Sequence, residues 1–166
     1  MSISISITPD WRIDARSITH LPLPAAAMWS RMRDVQRFLA DDPLHADVVF
    51  DSLPDPHLSF VGARLTIRHR LLGIGPDRIG RILTWREGRG YAISDLSRRG
   101  VDRGFPHICA FDLDPRGDNA CQLTVSARGK WTATWVPRPV IRLWLWWVLK
   151  ATEAKVQSAA IRHHLH

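Results

Sequence analysis

Two histidines of this chain fall in phase with apolar residues. In "ARLTIRHRLL" (63–72), Leu65, Ile67, His69 and Leu71 alternate with Arg64, Thr66, Arg68 and Arg70. In "PHICAFDLD" (106–114), His107, Cys109, Phe111 and Leu113 alternate with Ile108, Ala110 and Asp112. A period of two belongs to β-strands, so both imidazoles are expected on the dry face of a sheet. A buried histidine is uncharged at neutral pH and needs partners for its ring nitrogens. It is then either a satisfied core or rim residue, or a polar anchor and acid/base group beside a bound molecule. His69 and His107 are therefore the candidate catalytic residues. Tyr91 and Asp95 are their candidate partners. They share one face of "GYAISDLSR" (90–98) with Ile93 and Ser97, although alternation alone does not give that strand's inward side.

Other chemistry-bearing patterns carry less. "GIGPDRIG" holds Gly73, Gly75 and Gly80, but its spacing is not G-x-G-x-x-G, and it joins two strands where a phosphate cradle opens a helix. "RGD" at 116–118 falls in a hairpin turn, where Gly and Asp are expected anyway. "RHHLH" at the end of the sequence crowds three histidines on one helix end, which does not make a complete metal site, and no metal or other cofactor is expected. Cys109 and Cys121 are too few for a disulfide framework and are expected to behave as small buried hydrophobes.

The elements that must position these groups follow in order. "WRIDARSITH" (11–20) alternates loosely and is expected to be a strand. "LPLP" stops it, and Pro24 suits the first turn of a helix. "AAAMWSRMRDVQRFLADDP" (25–43) places Met28, Trp29, Met32, Val35, Phe38 and Leu39 on one helical face, with a break into two short helices expected near Asp34. Strand-like runs follow at 47–53, 63–72, 78–86, 90–98, 106–114 and 120–131, separated by segments rich in Gly, Pro, Asp and Asn. Links this short favour antiparallel neighbours, since a parallel crossover needs about a dozen residues or more. In the run 120–131, Cys121, Leu123, Val125, Ala127 and Trp131 oppose Gln122, Thr124, Ser126, Arg128 and Lys130, so the sheet has one dry face and one wet face.

From about Pro137 onward the chain reads as one long helix, without Pro or Gly after Pro139. Its start, "VIRLWLWWVLK" (140–150), contains three of the eight tryptophans and is apolar almost all round. Wound as a helix, Trp144, Trp147, Val148, Ala151, Ser158, Ile161 and Leu165 fall near one face, with Trp146 and Leu149 beside it. A helix apolar on every side is normally buried on every side, so the outer side of these turns also needs cover. Self-association or a membrane surface would supply it. The helix is the natural cover for the dry face of the sheet.

The totals fit one compact domain. The 166 residues are 45% hydrophobic and 23% charged, which excludes disorder as the default. The net charge of +7 could favour anionic partners, but 20 of the 23 basic residues are Arg and they are spread among acidic residues along the chain. That dispersal argues against a nucleic-acid-binding surface. "MSISISITPDWR" lacks the basic and continuous apolar regions of a signal peptide, and its Ser/Ile alternation suits a strand or an arm ordering against the sheet edge. A soluble, cytoplasmic protein is expected.

The order of strand, short helices, strands and long terminal helix resembles the START-like, or SRPBCC, superfamily. The local matches are "LPLPAAAMWSRMRDVQRFL", with Trp29 followed by Asp34, "VGARLTIRHR", with Gly62 before the strand, and "GRILTWREGRGYAISD". The resemblance covers the chain from about residue 11. It implies an α+β helix-grip fold in residues 11–166, a curved antiparallel sheet of about seven strands wrapped around the C-terminal helix, with residues 1–10 as an arm or extra edge strand. It further implies a cavity between sheet and helix that takes a hydrophobic or amphipathic small molecule of polyketide, lipid or aromatic type. Such a cavity would draw on Leu65, Ile67, Trp85, Tyr91, Asp95, Phe111, Leu123, Trp131, Trp144, Trp147, Val148 and Ala151. Two functions follow from the resemblance. A cyclase or dehydratase needs convergent polar groups deep in the cavity. A non-catalytic lipid carrier working at a membrane surface needs an almost wholly apolar lining.

Overall fold

A computed structural model describes residues 2–41, 45–51, 60–69, 77–98 and 104–163, the side chains at 69, 159 and 161–163 excepted. Several sequence expectations lie outside these residues: the strand ends at 52–53 and 70–72, the glycines at 73 and 75, the side chain of His69, and the histidines of "RHHLH".

The described residues form β1 (Ser2–Ile7), β2 (Arg12–Leu21), α1 (Ala25–Met32), α2 (Val35–Ala40), β3 (His45–Phe50), β4 (Arg64–His69), β5 (Arg78–Arg86), β6 (Gly90–Ser97), β7 (His107–Pro115), β8 (Cys121–Lys130) and α3 (Arg138–His163). All strands belong to one antiparallel, curved sheet in the order β1-β2-β8-β7-β6-β5-β4-β3. It has eight strands where about seven were expected, because "SISISI" forms β1 and pairs along β2 from Ser2↔Ile18 to Ile7↔Ile13. Every neighbour pair except β2–β8 is consecutive in sequence. The crossing from β2, near one edge, to β3, at the other, is made by α1 and α2. Asp34 divides those two helices: its carboxylate accepts a hydrogen bond from the Arg37 amide at 3.2 Å and caps α2.

Two bulges bend the sheet, one in β3 between His45 and Asp47 and one in β5 between Ile82 and Thr84. The second also changes which residues face inward. Gly80 and Ile82 face the core; past the bulge Trp85, an odd-numbered residue, comes to lie opposite Tyr91 on the same inner side. Gly80 is closely surrounded: a Cβ there would stand 3.2–3.3 Å from the side chains of Ile93, Ile67 and Leu65.

The core is the concave face of the sheet together with α1, α2 and one stripe of α3. On α3 the buried residues are Ile141, Leu145, Leu149, Thr152, Glu153, Val156 and Ala160. The stripe therefore centres on Leu145 and Leu149 instead of Trp144 and Trp147. Trp147 is 48% exposed and Trp146 is exposed beside it, while Trp144 and Val148 are half-buried on the flank. The reason is physical: turns that are apolar in every direction carry no phase, and it is Thr152, Val156 and Ala160 that fix the rotation of the rod. The backbone of α3 runs closest to β1 and β2. No helix of the described residues is long and apolar enough to cross a membrane.

This rotation gives a direct test. Leu145 is 3% exposed and Leu143 is 66% exposed, two residues apart on the same helix. Leu145→Ala is expected to cost about 2–5 kcal/mol of unfolding free energy. Leu143→Ala should stay within about 0.5 kcal/mol of the parent. Urea denaturation of the two variants checks both values.

Candidate functional site

The inner face of the sheet is filled unevenly. At the β5–β6 end, aromatic rings pack one on another: Trp85 stacks on Tyr91 at 5.5 Å and on Phe60 at 4.3 Å, and Trp29 meets the edge of Trp85 at 5.2 Å. Tyr91 then touches Phe111 at 5.2 Å, and Phe111 touches Phe38 of α2 at 5.5 Å. The two indole N–H groups of this cluster both donate to the Glu87 carboxylate in the β5–β6 turn, Trp29 at 2.9 Å and Trp85 at 3.0 Å. Those bonds hold the Glu87 carboxyl below its ordinary range.

Beyond Phe111 the filling stops and a cavity of about 140 Å³ remains between the sheet and α3. Its apolar walls come from Ile67, Ile93, Phe111, Val125 and Ala127 of the sheet, Leu39 of α2, and Trp144, Val148 and Leu149 of α3. Polar or reactive side chains enter it at Asp95, His107, His45, Cys109, Thr152 and Lys155. β6, β7 and β8 each supply residues two apart, as inward-facing positions must be. His107 fits because its cross-strand neighbour is Gly129, where a Cβ would stand 2.7 Å from that of His107.

The polar wall is organised around Asp95. Its Oδ1 accepts a hydrogen bond from Arg78 Nε, and the Arg78 Nη2 donates to the carbonyls of Asp95 at 2.9 Å and Phe105 at 2.6 Å. Arg78 and Asp95 are both buried. The other carboxylate oxygen, Oδ2, lies 3.6 Å from His107 Nε2. His107 Nδ1 stands 2.8 Å from the Phe105 carbonyl. A carbonyl only accepts, so Nδ1 carries the proton and, in the neutral ring, Nε2 carries the lone pair. The ring is also stacked on Phe105 at 4.4 Å. Burial pushes the His107 pKa below 6.5, and the Asp95 carboxylate pulls it back only in part. At neutral pH the group is therefore an uncharged base with a fixed tautomer, next to a carboxylate whose charge is already matched by Arg78.

On the opposite side, Lys155 of α3 donates to the Phe38 carbonyl and lies over the Phe38 ring at 4.2 Å. His45 Nδ1 donates to the Leu39 carbonyl at 2.6 Å. These two contacts tie α2 and the start of β3 to α3 across the cavity.

Of the residues expected from sequence, Ile67, Asp95, His107, Phe111, Trp144 and Val148 meet at this cavity. Others lie elsewhere. Leu65 and Leu123 are core, and Ala151 is half-buried away from the cavity walls. Trp85 and Tyr91 belong to the aromatic cluster; the buried Tyr91 hydroxyl has no hydrogen-bond partner among the described residues, and burial raises its pKa. Trp131 packs against Trp144 at 5.7 Å and donates its N–H to the Ala133 carbonyl. Trp147 faces outward, a correction to its expected place at the ligand. The His69 backbone ends β4 opposite His45. Arg78, Lys155, His45 and Thr152 were not anticipated. Arg78 had a signal, because it shares the inward phase of Gly80 and Ile82. His45 and Lys155 had none, since His45 comes there through the contact of β3 with α2 and Lys155 through that of α3 with α2. Cys121 is buried with its thiol pushed up to about 11, which leaves it protonated at neutral pH. Among the described residues, no three His, Cys, Asp or Glu side chains are grouped to hold a metal ion.

The buried, neutral state of His107 links the site to stability. Its folded pKa is lower than the unfolded value, so the unfolded chain binds more protons and stability falls as pH drops from 6.5 toward the folded pKa. His107→Gln should remove that part of the dependence. In urea titrations at pH 7 and pH 5, the variant should lose less stability between the two than the parent. Equal losses would contradict a buried neutral imidazole.

No protein-family model matches the sequence, and no curated protein matches it. Solved structures do resemble its fold. A START superfamily protein from Mycobacterium smegmatis aligns at TM-score 0.70 and 13% identity over 90% of this chain and 97% of that one. The Zhui aromatase/cyclase from Streptomyces sp. R1128 aligns at TM-score 0.72 and 12% identity over 91% and 94%. Norcoclaurine synthase from Thalictrum flavum, solved in complex with dopamine and hydroxybenzaldehyde, aligns at TM-score 0.66 and 15% identity over 92% and 88%. At such low identity the likeness speaks for architecture alone: this chain has a helix-grip fold like that of these START-like structures.

Proposed function

We propose that the chain binds a small hydrophobic molecule bearing a carbonyl or hydroxyl group in the cavity beside His107, and that it catalyses proton transfer on that molecule in a cyclase- or dehydratase-like reaction. The observation that carries this reading is the Arg78–Asp95–His107 array set into an otherwise mainly apolar wall. An apolar pocket with a few convergent polar groups, one of them a titratable group with a shifted pKa, is the arrangement expected of an active site.

The chemistry follows from the tautomer. The Nε2 lone pair removes a proton from a carbon next to the substrate carbonyl, and the electron pair moves into that carbonyl as an enolate. The imidazolium formed lies 3.6 Å from the Asp95 carboxylate, which stabilises it, while the Phe105 carbonyl keeps the ring in place. In a dehydration the same proton leaves with the departing hydroxyl as water, and the base is restored. The walls of Phe111, Val125 and Val148 exclude solvent and hold the chain of the substrate in a reactive conformer.

The size of the cavity favours this reading over a lipid carrier. At about 140 Å³ it suits one ring, close to the ~150 Å³ cavity known to hold benzene, and it is far below the roughly 300–1,000 Å³ occupied by larger ligands. Two structures of similar fold, an aromatase/cyclase and a synthase solved with dopamine and hydroxybenzaldehyde, are compatible with this reading.

Acetophenone is a suitable probe, because exchange of its methyl protons in D2O is read directly by NMR. The parent protein should accelerate this exchange, with a rate that rises with pH and levels off above the His107 pKa, which lies below 6.5. His107→Ala should slow it about 10²–10⁴-fold. Ala127→Leu, which fills the cavity, should abolish both exchange and binding of the probe. Exchange that persists unchanged in His107→Ala removes the proposed role.

A further inference from the structure

The outward side of the first turns of α3 is apolar. Val140 and Leu143 are exposed, as are Trp146 and Trp147, and Trp135, in the turn leading into the helix, is 84% exposed. Ile3 and Ile5 of β1 continue this surface into an open groove of about 560 Å³ with Leu143 and Trp146, rimmed by Arg138 and Arg142. None of the exposed tryptophans lines the internal cavity, so this surface is separate from the ligand site.

The charged side chains that line this groove, Arg138 and Arg142, are both basic. The first turn of α3 has no acidic residue, although the helix dipole favours one there, so the arginines add to the positive end of the helix. Arg138 is fixed in place: it donates to the Pro9 carbonyl at 2.9 Å and lies over the Trp11 ring at 4.9 Å. The patch is thus a rigid surface of tryptophan and aliphatic side chains edged with arginine.

We infer that this face of α3, with the edge of β1, docks on an anionic phospholipid bilayer. Indole rings favour the region between headgroups and hydrocarbon, and a helix lying in that plane presents an apolar face flanked by basic residues that meet lipid phosphates. A second copy of the chain fits less well. Across a twofold axis the patch would face itself, bringing arginines against arginines with no carboxylate between them. A bilayer supplies the missing negative charge as well as the apolar cover.

The test is flotation of the full chain with phosphatidylcholine vesicles, with and without phosphatidylserine, together with light scattering. Binding is expected only when phosphatidylserine is present, and it should weaken as salt is raised. Each basic charge near such a surface is worth roughly fivefold in binding, so Arg142→Glu, a change of two charges, should weaken it roughly 25-fold. Trp147→Ser should also weaken binding, with an unchanged thermal melt to show that folding is intact. His107→Ala should bind vesicles like the parent, which separates this inference from the reading of the cavity. Failure to bind phosphatidylserine vesicles would overturn it. So would binding that Arg142→Glu and Trp147→Ser leave unchanged, or a dimer that Trp147→Ser dissociates, which would give the face to a second copy.

Discussion

The constraint behind this molecule is a mismatch of widths. Eight strands at a spacing of about 4.8 Å make a sheet ~34 Å across, whereas a helix with its side chains is only about 10–12 Å thick. One rod cannot cover such a surface if the surface is flat. The sheet answers by curving, with bulges in β3 and β5, and by recruiting α1 and α2 as a second cover. Since α3 runs closest to β1 and β2, the space under β6, β7 and β8 must be filled by side chains. Aromatic rings fill the part next to β5, and the remainder is the cavity. The site is thus a consequence of the geometry of cover, and its small size reflects how many large rings the chain spends on filling.

Within that space the Arg78–Asp95 pair is a costly feature unless every group has a partner. A buried ion pair often adds nothing to stability over apolar residues of the same volume, yet deleting one member costs about 3–5 kcal/mol. Here Arg78 bonds a carboxylate oxygen and two backbone carbonyls, and so joins β5, β6 and the segment before β7. The contact with His107 uses the remaining carboxylate oxygen. Stability alone gives no reason to place these groups beside an empty space. A reaction that creates positive charge on His107 does give one, because the carboxylate is then already in position and no solvent has to reorganise.

Much of the architecture was legible because the relevant signals are local. The phases of β4, β7 and β8 are plain in the sequence, as are the Asp34 break between α1 and α2 and the long run of α3. What was not legible depends on events that alternation cannot record. Trp85 was expected inside and is inside, but past the bulge at Ile82–Thr84 it packs on Phe60, Trp29 and Tyr91 instead of lining the cavity. The apolar turns of α3 have no phase of their own, which is why Trp147 was expected inside and is outside. Tyr91 was rightly grouped with Ile93 and Asp95, yet its position one ring nearer β5 places it in the aromatic cluster instead of the cavity. His45 and Lys155 meet the site only through the contacts of α2 with β3 and with α3, which no spacing in the chain encodes.

The proposed ligand sits in the space beside His107, and this can be observed directly. Crystals soaked with 4-bromobenzaldehyde and measured at the bromine absorption edge should give an anomalous peak between Phe111, Val125 and Val148, with the aldehyde oxygen toward the polar wall. A bromine peak only in the outer groove by Ile3 and Leu143, or a cavity that stays closed to the probe, would contradict it.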